Sequence, residues 1–184
     1  GMIEIDRELV QHLDDIVQSQ TGVNLAAIRK DPEHSLEIEL PFLQRALAAP
    51  CKLLPIMVRE QSPEVVRGLG MALAEVLRSR RALLVASTDL SHFYPQRVAE
   101  ALDQVVLDRV AAFDPAGVLR VEEEGKGFAC GRGALAAVLW AAQALGADQA
   151  RVLRHATSGD ITGDRRKVVR YAAPVLLRSN ISTN

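Results

Sequence analysis

The sequence contains few of the residues by which several classes of protein are recognised. It has two cysteines in 184 residues, which is too few for a disulfide framework. Basic residues (22) and acidic residues (23) nearly cancel to a net charge of −1, so charge gives no reason to expect a nucleic acid or an anionic membrane as a partner. The sequence also lacks an apolar run long enough to cross a bilayer and a signal-peptide pattern at its start. We therefore expect a cytoplasmic protein with reduced thiols and with no nucleic-acid or membrane partner.

What remains is the composition of an ordinary globular domain. Hydrophobic residues make up 48% and charged residues 24% of the chain, as in soluble folded proteins. A chain of this length most simply forms one domain with a core of its own. We expect a single domain over residues 2–184, with Gly1 as a scar of tag cleavage before an initiator methionine.

Residues 83–92 are the stretch around which the chain is organised. Their first half, Leu-Leu-Val-Ala-Ser, is a short apolar run, and their second half, Thr-Asp-Leu-Ser-His, gathers polar groups. Such a bounded apolar run is typical of a strand buried on both faces of an open α/β sheet. Because ligands bind at the carboxyl ends of such strands, we expect Asp89 and His92 to point into a crevice. A helix-capping aspartate beside a surface histidine is the alternative interpretation.

Helical and strand patterns alternate along the chain, which predicts an α/β fold. We expect a central sheet, mostly parallel or mixed, with helices packed outside it. Pro41 should kink or interrupt a helix that begins after Asp31-Pro32, and residues 62–80 have a clear amphipathic helical pattern. The sheet should have residues 83–87 at its centre, and its other strands should be residues 52–58, 151–155 and 168–177.

Two of the four histidines lie beside a carboxylate at a position where a secondary-structure element is expected to begin or end. His34 is three residues before Glu37, and His92 is three residues after Asp89. Imidazole next to carboxylate is the chemistry of a divalent-metal site or of a general acid–base pair. Both pairs also fit ordinary structural positions at the ends of secondary-structure elements.

The two cysteines have different sequence environments. Cys51 borders an apolar strand pattern and is expected to be a small buried hydrophobe. Cys130 lies between glycines just before a helix, with Arg132 two residues on. A helix N-terminus and a nearby guanidinium both favour thiolate over thiol. This context predicts a reactive or metal-binding sulfur, and an inert buried cysteine is the alternative.

Several stretches, taken together and in order, resemble the Memo-like family, which is also described as AmmeMemoRadiSam system protein B. Each stretch is weak by itself, and the match depends on their common order over residues 30–177. The stretches are Glu33-His-Ser-Leu-Glu-Ile-Glu-Leu-Pro-Phe-Leu43, Leu54-Pro-Ile-Met-Val58, Ser87-Thr-Asp-Leu-Ser-His92, Cys130-Gly-Arg132, Ala156-Thr-Ser-Gly-Asp-Ile-Thr-Gly-Asp164 and a Tyr171-Ala-Ala ending.

The resemblance implies a fold similar to that of the class III extradiol dioxygenases, which are metal enzymes that open catechol rings. It implies a cleft in which His34, His92 and Cys130 are metal ligands and Asp89 lies beside them, so that Asp89 and His92 are the catalytic candidates. The family's second name also implies a pathway shared with a radical SAM enzyme and an AMMECR-type protein.

One family feature has no match in this sequence. Members of the family carry an N-terminal segment with a Pro-His-Ala-Gly-Tyr-like motif, which supplies a further cleft histidine and part of the sheet, whereas no Pro-His pair occurs here. We expect a fragment, a late start or a natural short form, with one metal ligand fewer in each case. Uncovered sheet surface is usually covered by association, so we expect a homo-oligomer.

Two hypotheses about function follow. The first is a cleft for metal-dependent redox or dioxygenase-like chemistry with copper or iron, which would be inactive and metal-free if the missing ligand is essential. A thiolate ligand favours copper or iron redox chemistry over ring opening, because a ring-opening enzyme would use two histidines and a carboxylate to hold iron. The second hypothesis is a non-catalytic module that binds a peptide or a partner protein in the same cleft.

Overall fold

The computed structural model describes residues 2–29 and 31–179, which form seven α-helices and five β-strands. In chain order these elements are β1 (Glu4–Ile5), α1 (Arg7–Thr21), α2 (Ser35–Ala46), β2 (Lys52–Leu53), α3 (Pro63–Leu77), β3 (His92–Tyr94), α4 (Gln96–Ala111), α5 (Pro115–Glu123), α6 (Arg132–Ala144), β4 (Gln149–Thr157), α7 (Ser158–Thr162) and β5 (Val168–Leu177). No helix in this described part of the chain is long and apolar enough to cross a membrane.

The hydrophobic core lies mainly among the helices. Helices α1 and α6 both pack on α3, which buries apolar side chains at helical spacing. An added Cβ at Gly70 would lie 2.7 Å from the carbonyl oxygen of Ala137, so glycine is needed for the close approach of α3 to α6. The innermost apolar side chains include Leu13, Val66, Val106, Val110, Leu139 and Val168.

Helix α1 has local signals at both ends. The Asp6 carboxylate accepts a hydrogen bond from the amide of Leu9 at 3.0 Å, which satisfies one of the free amides of the first turn. The helix ends at Gly22, whose left-handed conformation (φ 74°) lets its amide donate to the carbonyl of Gln18. These caps fix the helix that covers one side of α3.

The strands form two small sheets. Strands β1 and β2 pair in parallel, and β3, β5 and β4 form an antiparallel sheet in which β5 is central. In the second sheet Thr157 lies opposite Arg170, and His92 lies opposite Val169. The α/β class predicted from the sequence is therefore confirmed, and the strand predicted at residues 168–177 coincides with β5.

The prediction that residues 83–87 form a buried central strand is wrong. These residues belong to no strand in the described structure, and the side chains of Leu83 and Val85 are 67% and 49% exposed. Leu84 and Ala86 alternate with them and pack against the core. The apolar run thus has one covered face, and the pattern alone could not distinguish this from burial on both faces. The strand predicted at residues 52–58 is likewise reduced to β2.

One smaller prediction is wrong, since Cys51 is not buried, and of the two effects expected from Pro41 the interruption of its helix is absent. Helix α2 continues through Pro41 without a break, and it buries none of its residues. Cys51 is exposed rather than buried, because β2 ends two residues later and no sheet covers it. The N-terminal half of the chain is therefore less enclosed than its apolar sequence suggested.

Candidate functional site

Residues 88–92 run past the N-terminal end of α6, where three backbone amides donate hydrogen bonds between the two segments. The amide of Asp89 donates to the Cys130 sulfur (3.2 Å), the amide of Cys130 donates to the Asp89 carbonyl (3.3 Å), and the amide of Gly131 donates to Thr88 Oγ1 (2.8 Å). A Cβ at Gly131 would lie 2.8 Å from the Thr88 Cβ, so this approach requires glycine. We call Thr88, Asp89, His92 and Cys130 the Asp89 corner.

Asp89 and His92 form a side-chain pair on the partly exposed side of this corner. His92 Nε2 lies 3.3 Å from Asp89 Oδ2, and the two side chains are 24% and 45% exposed. The edge of the Phe128 ring faces the imidazole, with ring centroids 5.4 Å apart. A partly exposed imidazole in contact with a carboxylate can exchange a proton with a bound molecule. The predicted proximity of Asp89 and His92 is therefore present.

Cys130 is exposed, as a reactive or metal-binding thiol would be. Its sulfur accepts the Asp89 amide and lies 3.5 Å from Thr88 Oγ1. The sulfur thus accepts a backbone hydrogen bond just before the first turn of α6. Cys130 is therefore not buried as the alternative interpretation expected, and its reactivity stays a prediction.

His34 is the remaining candidate ligand. It precedes α2, and its Nδ1 lies 3.1 Å from Glu37 Oε1, with both side chains more than two-thirds exposed. The neighbouring residue links α2 to the corner, because the Ser87 hydroxyl donates to the Ser35 carbonyl at 3.0 Å. The imidazole of His34 itself contacts Glu37 and not the other candidate ligands.

The donor types at the corner suit a metal ion, but the described residues do not assemble a complete set. Thiolate and imidazole are ligands for copper, zinc and iron. Within residues 2–29 and 31–179, no group of three or more histidine, cysteine, aspartate or glutamate side chains is placed to hold an ion. The structure brings Asp89 together with His92, and Cys130 together with the Asp89 backbone, while the side-chain contact of His34 is with Glu37.

Tyr171 is a member of the site that the analysis of chemical groups did not single out. Burial, and then the negative charge of Asp89, raise the pKa of the Tyr171 phenol. The residue lies on β5 opposite Ala156, next to the Arg170 carbonyl that accepts the amide of Leu90 (3.0 Å). Its place in one of the stretches that resemble the Memo-like family was the available signal.

The effect of the Asp89 charge on Tyr171 gives a test of the corner's geometry. Replacing Asp89 with asparagine should lower the pKa of Tyr171 part of the way toward the usual value of about 10, since burial remains. Because the pKa is raised, the contribution of Tyr171 to stability is complete below about pH 10 and is lost as the pH rises through the raised value. Ultraviolet titration of the wild type minus the Tyr171→Phe variant measures this pKa. An unchanged value in Asp89→Asn, matching an Asp108→Asn control, would contradict the geometry.

A buried polar network lies directly behind the corner and was missed by the sequence analysis. Asp103 and Arg170 are 0% and 4% exposed, and Arg170 Nε lies 2.6 Å from Asp103 Oδ2. Asp103 also accepts from the hydroxyl of Ser91 at 2.6 Å. The signal was present in α4, where Asp103 shares the inward face of the helix with Ala99 and Val106, since an acidic residue at a core position requires a buried partner.

Comparison with known proteins places these features in a family. A family model described as Memo-like protein matches residues 1–175. A MEMO1 family protein of Methanothermobacter thermautotrophicus is 38% identical over 94% of this chain and 61% of its own length. MEMO1 family proteins of Nitrosopumilus maritimus and Methanopyrus kandleri are 32% and 36% identical, over 94% and 97% of this chain and 62% of their own lengths. The chain thus spans less than two-thirds of these curated relatives, and it belongs to the Memo-like family.

Proposed function

We propose that the Asp89 corner is a functional centre for metal-dependent redox or dioxygenase-like chemistry. In this proposal Asp89 and His92 transfer protons, and His92 and Cys130 hold a copper or iron ion to which His34 contributes. The observation that carries the proposal is the contact of the Asp89 segment with both the His92 imidazole and the Cys130 sulfur. These groups come from β3 and from the start of α6, which are far apart in the sequence.

The ligand types favour redox chemistry over ring opening. An iron-dependent ring-opening enzyme would use two imidazoles and a carboxylate, whereas a sulfur ligand suits copper or iron electron transfer. When bound, the ion would supply the redox step, and the residues of this chain would hold it and move protons through the Asp89–His92 pair. The incomplete set of described donors argues for weak binding. Binding should also weaken as the pH falls, because cysteine and histidine must lose protons to bind a metal.

A non-catalytic binding module is the second candidate function. Its support is the apolar surface near the corner, where Phe93 is 72% exposed, and along α2, where Phe42 is 71% and Ile38 is 62% exposed. Exposed apolar patches of this kind mark contacts with peptides or partner proteins. A second copy of this chain is the partner that we favour. A radical SAM enzyme and an AMMECR-type protein are further proposed partners, on the family resemblance alone.

Copper titration distinguishes the two candidates. The chain is titrated with Cu(I) under anaerobic conditions against a chromophoric chelator, alongside the Cys130→Ser and His92→Ala variants. Loss of a contact at a metal site commonly weakens binding by about 10-fold to 100-fold, and we expect at least this loss in both variants. The matched controls are Cys51→Ser and His12→Ala, which remove an exposed thiol and an exposed imidazole outside the corner. Equal affinities in all five proteins, or no binding by the wild type, would contradict the metal function and favour the binding module.

A further inference from the structure

Ser91 lies between Asp89 and His92 in the chain. Its hydrogen bonds hold it more firmly than either of those residues is held. It is fully buried, and its amide and hydroxyl both donate to Asp103 Oδ1, at 3.0 Å and 2.6 Å. One carboxylate oxygen on α4 therefore accepts from both hydrogen-bond donors of this residue. Asp89 and His92, by contrast, are partly exposed.

The other oxygen of Asp103 is held by Arg170. Arg170 Nε lies 2.6 Å from Asp103 Oδ2, and the remaining guanidinium nitrogens reach Glu100 Oε1 (3.1 Å) and the ring nitrogens of His155 (2.6 Å and 3.0 Å). A carboxylate engaged at both oxygens cannot rotate without breaking a contact on one side. The orientation of Asp103, and with it the position of Ser91, is thus set by α4, β4 and β5 together.

The backbone around Ser91 is fixed from the same side. The amide of Leu90 donates to the Arg170 carbonyl at 3.0 Å, and the amide of Arg170 donates to the Ser91 carbonyl at 3.2 Å. Beyond this point the pairing with β5 becomes irregular, since the register shifts between His92 and Tyr94. Ser91 is therefore the last residue before the register shift whose amide, carbonyl and hydroxyl are all hydrogen-bonded. It sets the direction in which His92 leaves the core.

We propose that Asp103, supported by Arg170, is a positioning residue for the Asp89–His92 pair. By fixing Ser91, Asp103 holds His92 Nε2 within 3.3 Å of Asp89 Oδ2, although it touches neither side chain. The inference rests on the proposed function for the importance of the pair. The contact between the Asp89 and His92 side chains, on which the inference depends, can be measured without any metal.

The test is NMR of the histidine ring nitrogens in the metal-free chain of 184 residues at one fixed pH. The Asp89→Ala variant gives the His92 resonances when the carboxylate partner is removed. We expect Asp103→Asn to move the His92 ring resonances most of the way toward that position, and Ser91→Ala to move them less in the same direction. The ring resonances of His12, on α1, should not move in any variant. Ser91→Ala keeps the ion pair of Asp103 with Arg170, so it decides the question if Asp103→Asn does not fold.

A role in stability alone would lower the melting temperature of Asp103→Asn and Ser91→Ala while leaving the His92 resonances at their wild-type positions, and that result would overturn the proposal. Displaced resonances in a chain that binds no copper would support the positioning role and contradict the proposed metal function. Undisplaced resonances in a chain that binds copper through His92 would support the proposed metal function and contradict the positioning role.

Discussion

Replacing Asp103 with alanine is expected to lower the free energy of unfolding by about 3–5 kcal/mol, the usual cost of removing one partner of a buried ion pair. Asp103 is completely buried, and Arg170 is only 4% exposed. The variant would leave the guanidinium of Arg170 in the interior without the carboxylate at 2.6 Å, and the amide and hydroxyl of Ser91 without their acceptor. Buried donors without an acceptor add to the loss. For a domain of ordinary stability this is a large fraction of the total.

Urea denaturation followed by circular dichroism measures this effect. The matched control is Asp108→Ala on the same helix, because Asp108 is exposed and its carboxylate accepts from the side chain of Gln104 at the surface. A surface change of this kind should alter stability by no more than about 0.5 kcal/mol. If Asp103→Ala were as stable as Asp108→Ala, the buried network would not hold the sheet to α4.

The chain is also expected to self-associate at high micromolar concentration. Leu83 and Val85 present exposed apolar side chains from an extended segment whose opposite face already packs on the core. Met57, in a stretch that also packs against the core on alternate residues, is 40% exposed. Covering apolar surface is favourable by about 25 cal/mol per Å², and a second copy of the chain presents the same surface. A symmetric contact through these residues would bury it on both copies.

Sedimentation velocity over a range of concentrations tests this association. The double variant Leu83→Glu with Val85→Glu should sediment as a monomer where the wild type sediments as a dimer or larger assembly. Ile161→Glu is the control, since Ile161 is 90% exposed on α7 and outside this segment. A wild type that remains monomeric at high micromolar concentration would contradict the expectation.

The sequence predicted best those elements whose bounds depend on neighbouring residues in the chain. Strand β5 has the bounds that its Val-rich composition indicated, and α3 begins at Pro63 within the predicted helix 62–80. Residues 83–87 were predicted wrongly, because an apolar run specifies that a segment can be covered but not how many of its faces are covered. Cys51 was misplaced for the same reason.

Contacts within the candidate site could be predicted between residues close in the sequence. Contacts between residues far apart in the sequence could not. Asp89 and His92 are three residues apart, so their pairing followed from spacing. The contact of Cys130 with the Asp89 amide was expected only from the family resemblance, since nothing local indicates it. Asp103 and Arg170 lie 67 residues apart in the sequence, and only the packing of α4 on β5 brings them together. The expected convergence of His34 with His92 and Cys130 stays a prediction.

The measurement that bears most directly on the proposed functional centre is X-ray absorption spectroscopy of the chain loaded with Cu(I). If the Asp89 corner holds the ion, the spectrum should contain a sulfur ligand and imidazole nitrogen, because Cys130 and His92 lie on the two segments joined there. The sulfur should disappear in Cys130→Ser and persist in Cys51→Ser, and the imidazole signal should decrease in His92→Ala. A wild-type spectrum with only oxygen and nitrogen ligands, or a sulfur signal that survives in Cys130→Ser, would contradict a metal site at this corner.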